Sequence, residues 1–194
     1  MRRVTCVMLC ALLWASAASA QGPAQQGPVG LSLSLQRSYA ALKNNLTLAA
    51  DKLPEADYAF KPSSMPEVRT YGQLFGHVAN AQFGACSAAR GVPNPNMGIN
   101  NEQKTAKAEI VKALADSFAH CDPAFASLTE ENGVQMMARG RGQIARSAIL
   151  ADLIAHSNEM YGTAAVYLRA KNVVPPSTEG SQQPRGGGPG RGGE

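Results

Sequence analysis

The stretch KAEIVKALADSFAHCDPAFASL, Lys107 to Leu128, decides the fold class. Its stripe of Lys107, Ile110, Val111, Leu114, Phe118, Cys121, Phe125 and Leu128 recurs at steps of three and four. That spacing lines one face of an α-helix, because 3.6 residues complete a turn. Pro123 falls inside the stripe and predicts a kink or an early end, since proline has no N–H to donate to the preceding turn.

The same period appears on both sides of this segment. Leu31, Leu35, Tyr39, Leu42, Leu46, Ala49 and Leu53 form a first stripe that Pro54 stops. A second helix opens at Thr70, whose hydroxyl can cap free N–H groups, with Gln73 completing a capping box. Leu74, His77, Val78, Ala81, Ala85 and Ala88 then share a face. Gly72, Gly76 and Gly84 each weaken that helix by roughly 1 kcal/mol relative to Ala, and each permits close approach of a neighbouring helix. A last helix runs from about Gln143 to Lys171. Ile149, Leu153, His156, Met160, Ala164 and Tyr167 line one side of it, and Asn172 can close it. No alternating strand stands out. Residues 54–69 and 129–142 read as irregular connections. Four amphipathic helices make an all-α protein, a four-helix bundle.

The two ends of the chain have a different composition. Arg2 and Arg3, the apolar run Val4 to Ala18 and the small residues before Gln21 read as a secretory signal over residues 1–20. The run falls short of the roughly 20 residues a membrane span requires. A periplasmic or secreted location is expected, with no membrane attachment after cleavage. Residues 21–28 read as a flexible leader, 29–174 as the bundle, and 175–194 as a disordered Gly/Pro-rich tail without apolar residues to bury. Loss of Arg2 and Arg3 leaves 16 of the 18 basic residues against 14 acids. So balanced a surface argues against a nucleic-acid partner. The Arg-Gly-Gly look of Arg185 and Arg191 does not change that, because no aromatic residue accompanies them. Cys6 and Cys10 leave with the signal. Cys86 and Cys121 then remain, and in an oxidising compartment two such cysteines pair more often than they stay free.

His77 and His156 both interrupt apolar faces. Each is either a core histidine bonded to a carbonyl or a metal ligand; facing helices in a bundle build metal sites in this way. The remaining donors are few. Met160 lies one turn after His156, and its thioether suits copper better than zinc. Asp152 and Glu159 flank His156 and could ligate, orient its ring or simply face water. His120, with Asp116 one turn before it, is a candidate surface pair. Cys121 and His120 are helix neighbours that point about 100° apart, which excludes a thiolate–imidazole pair. No phosphate loop and no nucleophile elbow is present.

The motifs "FKP" (Phe60 to Pro62), "YGQLFGHVA" (Tyr71 to Ala79) and "YLRAKNVVPPS" (Tyr167 to Ser177) together resemble the DinB-like superfamily, in its exported bacterial branch. The likeness spans about Leu31 to Ser177. It implies an up-down-down-up four-helix bundle with a long crossover between helices two and three. It also implies a divalent metal, zinc or nickel before copper, held by one histidine on helix two and two on helix four. His77 and His156 match the first two ligand positions, and Met160 occupies the third. The resemblance points to a metal-dependent hydrolase or transferase acting on a small molecule. The substitution at Met160 points instead to a module that has lost its metal and binds a small molecule or a protein. Members often form homodimers. Thiol transfer suits an exported protein poorly.

The implied topology also bears on the cysteines. With helices two and three parallel, Cys86 and Cys121 differ in height by about 5 Å; antiparallel, by roughly 20 Å. A Cys86–Cys121 disulfide is expected, contributing about 2–4 kcal/mol.

Overall fold

The structure is a computed structural model that describes residues 27–182. The expected signal and most of the leader lie outside the described residues, as does the chain beyond Gln182. The described part is mostly helical, with neither helix-spanned membrane segment nor large sheet: no described helix is long and apolar enough to cross a membrane. Its α-helices are α1 (Leu31–Lys52), α2 (Tyr71–Arg90), α3 (Lys107–Ala126), α4 (Glu130–Gly133), α5 (Arg146–Ala170) and α6 (Pro176–Gln182). Strands β1 (Met136–Arg139) and β2 (Gly142–Ala145) form one antiparallel hairpin before α5.

The boundaries follow local chemistry. Thr70 and Gln73 form a reciprocal capping box at the start of α2, which satisfies donors that the first turn leaves free. Gly91 ends α2 at φ 65°, a left-handed conformation that costs glycine little. Asn172 takes φ 58° after α5, and the Val173 N–H returns to the Leu168 carbonyl. Helix α3 continues through Pro123 to Ala126. Its C-terminal end is tied to α1, because the Gln36 amide donates to the carbonyl of Phe125 and to that of Leu128 just beyond the helix.

Partners between helices are ordered. Along α2 and α3 the partner numbers rise together: Gly72 lies against Ile110, Gln82 against Ser117, and Ser87 against His120. Along α2 and α5 they run oppositely, with His77 at His156 and the Arg69 carbonyl accepting from Tyr167 Oη. Along α1 and α3 they also run oppositely. Tyr39 and Lys43 reach Asp122, while Lys107 reaches the carbonyls of Asp51 and Leu53. One core joins these helices, with Leu46, Phe75, Phe118, Ile149 and Leu168 all buried within it. Burying such side chains contributes about 1.5–3 kcal/mol each. Cys86 and Cys121 are disulfide-bonded across α2 and α3, with Cα atoms 5.2 Å apart.

Four expectations need correction. Residues 136–145, taken as an irregular connection and the start of a helix, are the hairpin; α5 begins at Arg146. The hairpin's two-residue loop places Gly140 at φ 60°, and glycine at that point favours a tight reversal. Residues 176–182, assigned to the tail, form α6 instead. It is anchored because Pro175 is buried, the Ser177 N–H donates to Tyr161 Oη, and Glu179 pairs with Lys52 at 2.7 Å. Leu31 begins the α1 stripe yet is 56% exposed. Helix α2 buries more than one stripe, since Phe75, Ala79, Gln82 and Phe83 are buried as well. It packs on α3 and α5 together, so two of its faces are covered.

Candidate functional site

Helix α2 carries His77 and the antiparallel α5 carries His156, so the two rings meet between them. Their Nε2 atoms stand 3.0 Å apart, with ring centroids at 4.9 Å. The other nitrogen of His77, Nδ1, lies 2.7 Å from Glu102 Oε1. Arg69 donates to the second oxygen of Glu102 at 2.8 Å. Arg69, Glu102, His77 and His156 thus form one polar chain.

Charge follows from that chain. Burial opposes ionisation of Glu102, but hydrogen bonds and positive charge from Arg69 and His77 outweigh it and hold the carboxyl below its ordinary range. An ionised Glu102 only accepts, so His77 carries its proton on Nδ1. Burial, aided by the charges of His77 and Arg69, lowers the pKa of His156, with Glu159 acting the other way. Between the two Nε2 atoms one nitrogen donates and the other accepts. His156 Nδ1 is buried and has no hydrogen-bond partner among the described residues. An unsatisfied buried polar atom costs about 1–3 kcal/mol.

Glu102 comes from the crossover between α2 and α3, and two devices fix it there. Asn80, one turn beyond His77, accepts through Oδ1 from Asn96 Nδ2, from Asn101 Nδ2 and from the Asn101 backbone. Its Nδ2 donates to Asn100 Oδ1, which also caps the Glu102 N–H. Gly76 supplies the space: a Cβ there would lie 2.5 Å from the Asn101 carbonyl oxygen.

The other candidates lie apart from this chain. Met160 is buried in the core. Asp152 is exposed and stands 4.0 Å from Arg139, so it does not orient His156. Glu159 is exposed and acts on His156 through charge alone. His120 lies 2.9 Å from Ser87 Oγ, and burial followed by the charge of Arg90 lowers its pKa. Asp116 pairs with Lys112 rather than with His120. Among the described residues no group of three or more His, Cys, Asp or Glu side chains is placed to hold a metal ion. Glu102 and Arg69 were not singled out by the sequence; no periodicity links the crossover to the apolar face of α2. Beside His156 lies a cavity of about 400 Å³ that also reaches Arg139 and Asp152.

These features define a helical protein with a histidine pair enclosed between two long antiparallel helices. Residues 39–164 match the DinB superfamily, and the chain belongs to that superfamily. Solved structures share the fold. A DinB-like protein from Bacillus cereus has 16% identity and a TM-score of 0.60, over 73% of this chain and 93% of that one. A DinB-like protein from Bacillus subtilis has 17% identity and a TM-score of 0.57, over 72% and 92%. A conserved protein from Enterococcus faecalis has 13% identity and a TM-score of 0.59, over 73% and 97%. At such identities the likeness concerns the fold alone. No curated protein matches the chain.

Proposed function

We propose that this is an exported DinB-superfamily protein whose α1, α2, α3 and α5 form an up-down-down-up bundle, and whose His77 and His156 hold one divalent cation. The observation that carries this reading is the 3.0 Å approach of the two Nε2 atoms. Nitrogens that share a zinc ion at tetrahedral angles stand about 3.3 Å apart, so the pair fits with a small opening. The carboxylate behind His77 favours the same reading, because metal-bound imidazoles are usually oriented by one. A cation held there would supply Lewis acidity suited to a hydrolase or transferase. The protein's own part is to hold both rings and keep His156 neutral. Export is supported by the charged and apolar start of the sequence, and the Cys86–Cys121 disulfide is consistent with it.

A second reading has its own observation. Met160 stands at the third ligand position that the family resemblance implies, and among the described residues no group of three or more His, Cys, Asp or Glu side chains is placed to hold a metal ion. A bundle that has lost its metal and serves as a binding module accounts for that. Calorimetric titration of the apoprotein with zinc, nickel and copper separates the two. Stoichiometric micromolar binding that His156→Ala abolishes supports the cation site. Absence of binding at micromolar metal leaves the module.

A further inference from the structure

The cavity beside His156 is a gap built into the helix interface. Neighbouring helices ordinarily fill the space between them with interlocked side chains. Here the α2 wall is Asn80, whose amide is engaged by the crossover asparagines, followed by Ala81, Gly84, Ala85 and Ala88, so beyond Asn80 it presents only methyl groups and a hydrogen. A Cβ on Gly84 would meet nothing within 4 Å. The small residues leave about 400 Å³ unfilled, and the wall from Ala81 to Ala88 rises about 10 Å.

Arg139 of the hairpin stands at the rim of this gap. Its nearest opposite charge, Asp152, is 4.0 Å away, beyond hydrogen-bond distance. The guanidinium makes no hydrogen bond among the described residues, so its planar fork of donors is free. Asp152 is 64% exposed, where water and salt screen its charge. One cationic fork beside an apolar trough complements an amphiphilic anion.

We propose that this groove binds a small straight-chain carboxylate. The carboxylate sits on Arg139 as a two-pronged, charge-assisted pair, and the chain, roughly eight carbons over a 10 Å wall, lies along the alanines toward His156. The groove borders His156, but its binding requires no cation and does not rest on the cation reading.

The test uses the full chain without added metal. Octanoate and octanol are titrated by calorimetry, with the Ala85 and Ala88 methyl resonances followed by NMR. Octanoate is expected to bind one to one and to move both methyl signals. Arg139→Ala should weaken octanoate about tenfold or more, the loss of a charge-assisted pair, and leave octanol unchanged. Gly84→Leu, which has room to fold, should weaken both ligands at least tenfold by filling the trough. No octanoate binding at millimolar concentration, or equal affinity in the Arg139→Ala variant, overturns the proposal.

Discussion

His77 Nε2 and His156 Nε2 are 3.0 Å apart, although the residues are 79 positions apart in the chain. That contact is possible because α2 and α5 run in opposite directions, with each ring one step from a fully buried neighbour, Val78 or Ser157. Met160 follows His156 by four residues, one turn along the same side of α5. Met160→His should therefore tighten zinc or nickel binding by adding a third nitrogen near the pair. The measurement is the dissociation constant by calorimetry for wild type and variant. Equal constants would show that position 160 does not converge with the other two.

Glu102 yields a prediction with a definite sign. Its folded pKa lies below the ordinary 4.5, so the folded state favours its ionised form. The stability it contributes is present above the unfolded value and is lost as pH falls through the lower folded value. Glu102→Gln should lower the urea midpoint at pH 7. The gap from wild type should then shrink steadily as pH is taken below about 4.5. A gap of the same size at pH 3 and pH 7 would refute the electrostatic account. If a cation is bound, the same change should cost about 10–100-fold in affinity, the usual effect of losing an orienting carboxylate.

The helices were legible because burial repeats along them. The stripe from Ile110 to Leu128 is buried as its spacing implies except at Val111, which is partly buried, and Thr70 and Asn172 mark ends through short-range chemistry. His77 and His156 were visible because a polar residue on an apolar face stands out. Glu102 was not: it reaches His77 through a crossover whose path depends on Asn80, Asn101 and Gly76, and a lone carboxylate in a polar loop carries no signal. The hairpin was missed because its four-residue strands are largely exposed, so alternation hardly shows. Helix α6 was missed because its composition suits a tail, and what anchors it is tertiary: the packing of Pro175 and the bond to Tyr161.

The disulfide makes a third prediction. Cys86 and Cys121 are 35 residues apart and both are fully buried. Closing that loop restricts the unfolded chain, which stabilises the fold by about 2–4 kcal/mol. The Cys86→Ala, Cys121→Ala double variant should unfold at a lower urea concentration by that margin with little change in slope. Mass spectrometry of the chain from Gln21, unreduced and treated with a thiol reagent, should show no labelling. Two labelled cysteines would sink the prediction.

Two helix glycines should respond in opposite senses to the same substitution. Gly162 lies inside α5, and a Cβ there would meet nothing within 4 Å. Gly162→Ala should raise stability by about 0.5–1 kcal/mol, because alanine loses less backbone entropy in a helix. Gly76 lies inside α2, but its Cβ would strike the Asn101 carbonyl oxygen and the Glu102 nitrogen, backbone atoms that cannot swing aside. Helix propensity favours alanine there by the same amount, and the collision outweighs it. Overpacking of this kind costs about 1–3 kcal/mol. The strain falls on the segment that delivers Glu102 to His77, so Gly76→Ala should also change the His77 ring-nitrogen shifts in a nitrogen-15 spectrum, which Gly162→Ala should leave alone. If both variants are stabilised equally, the crossover is not held against α2 as tightly as these contacts require, and the positioning of Glu102 has another cause.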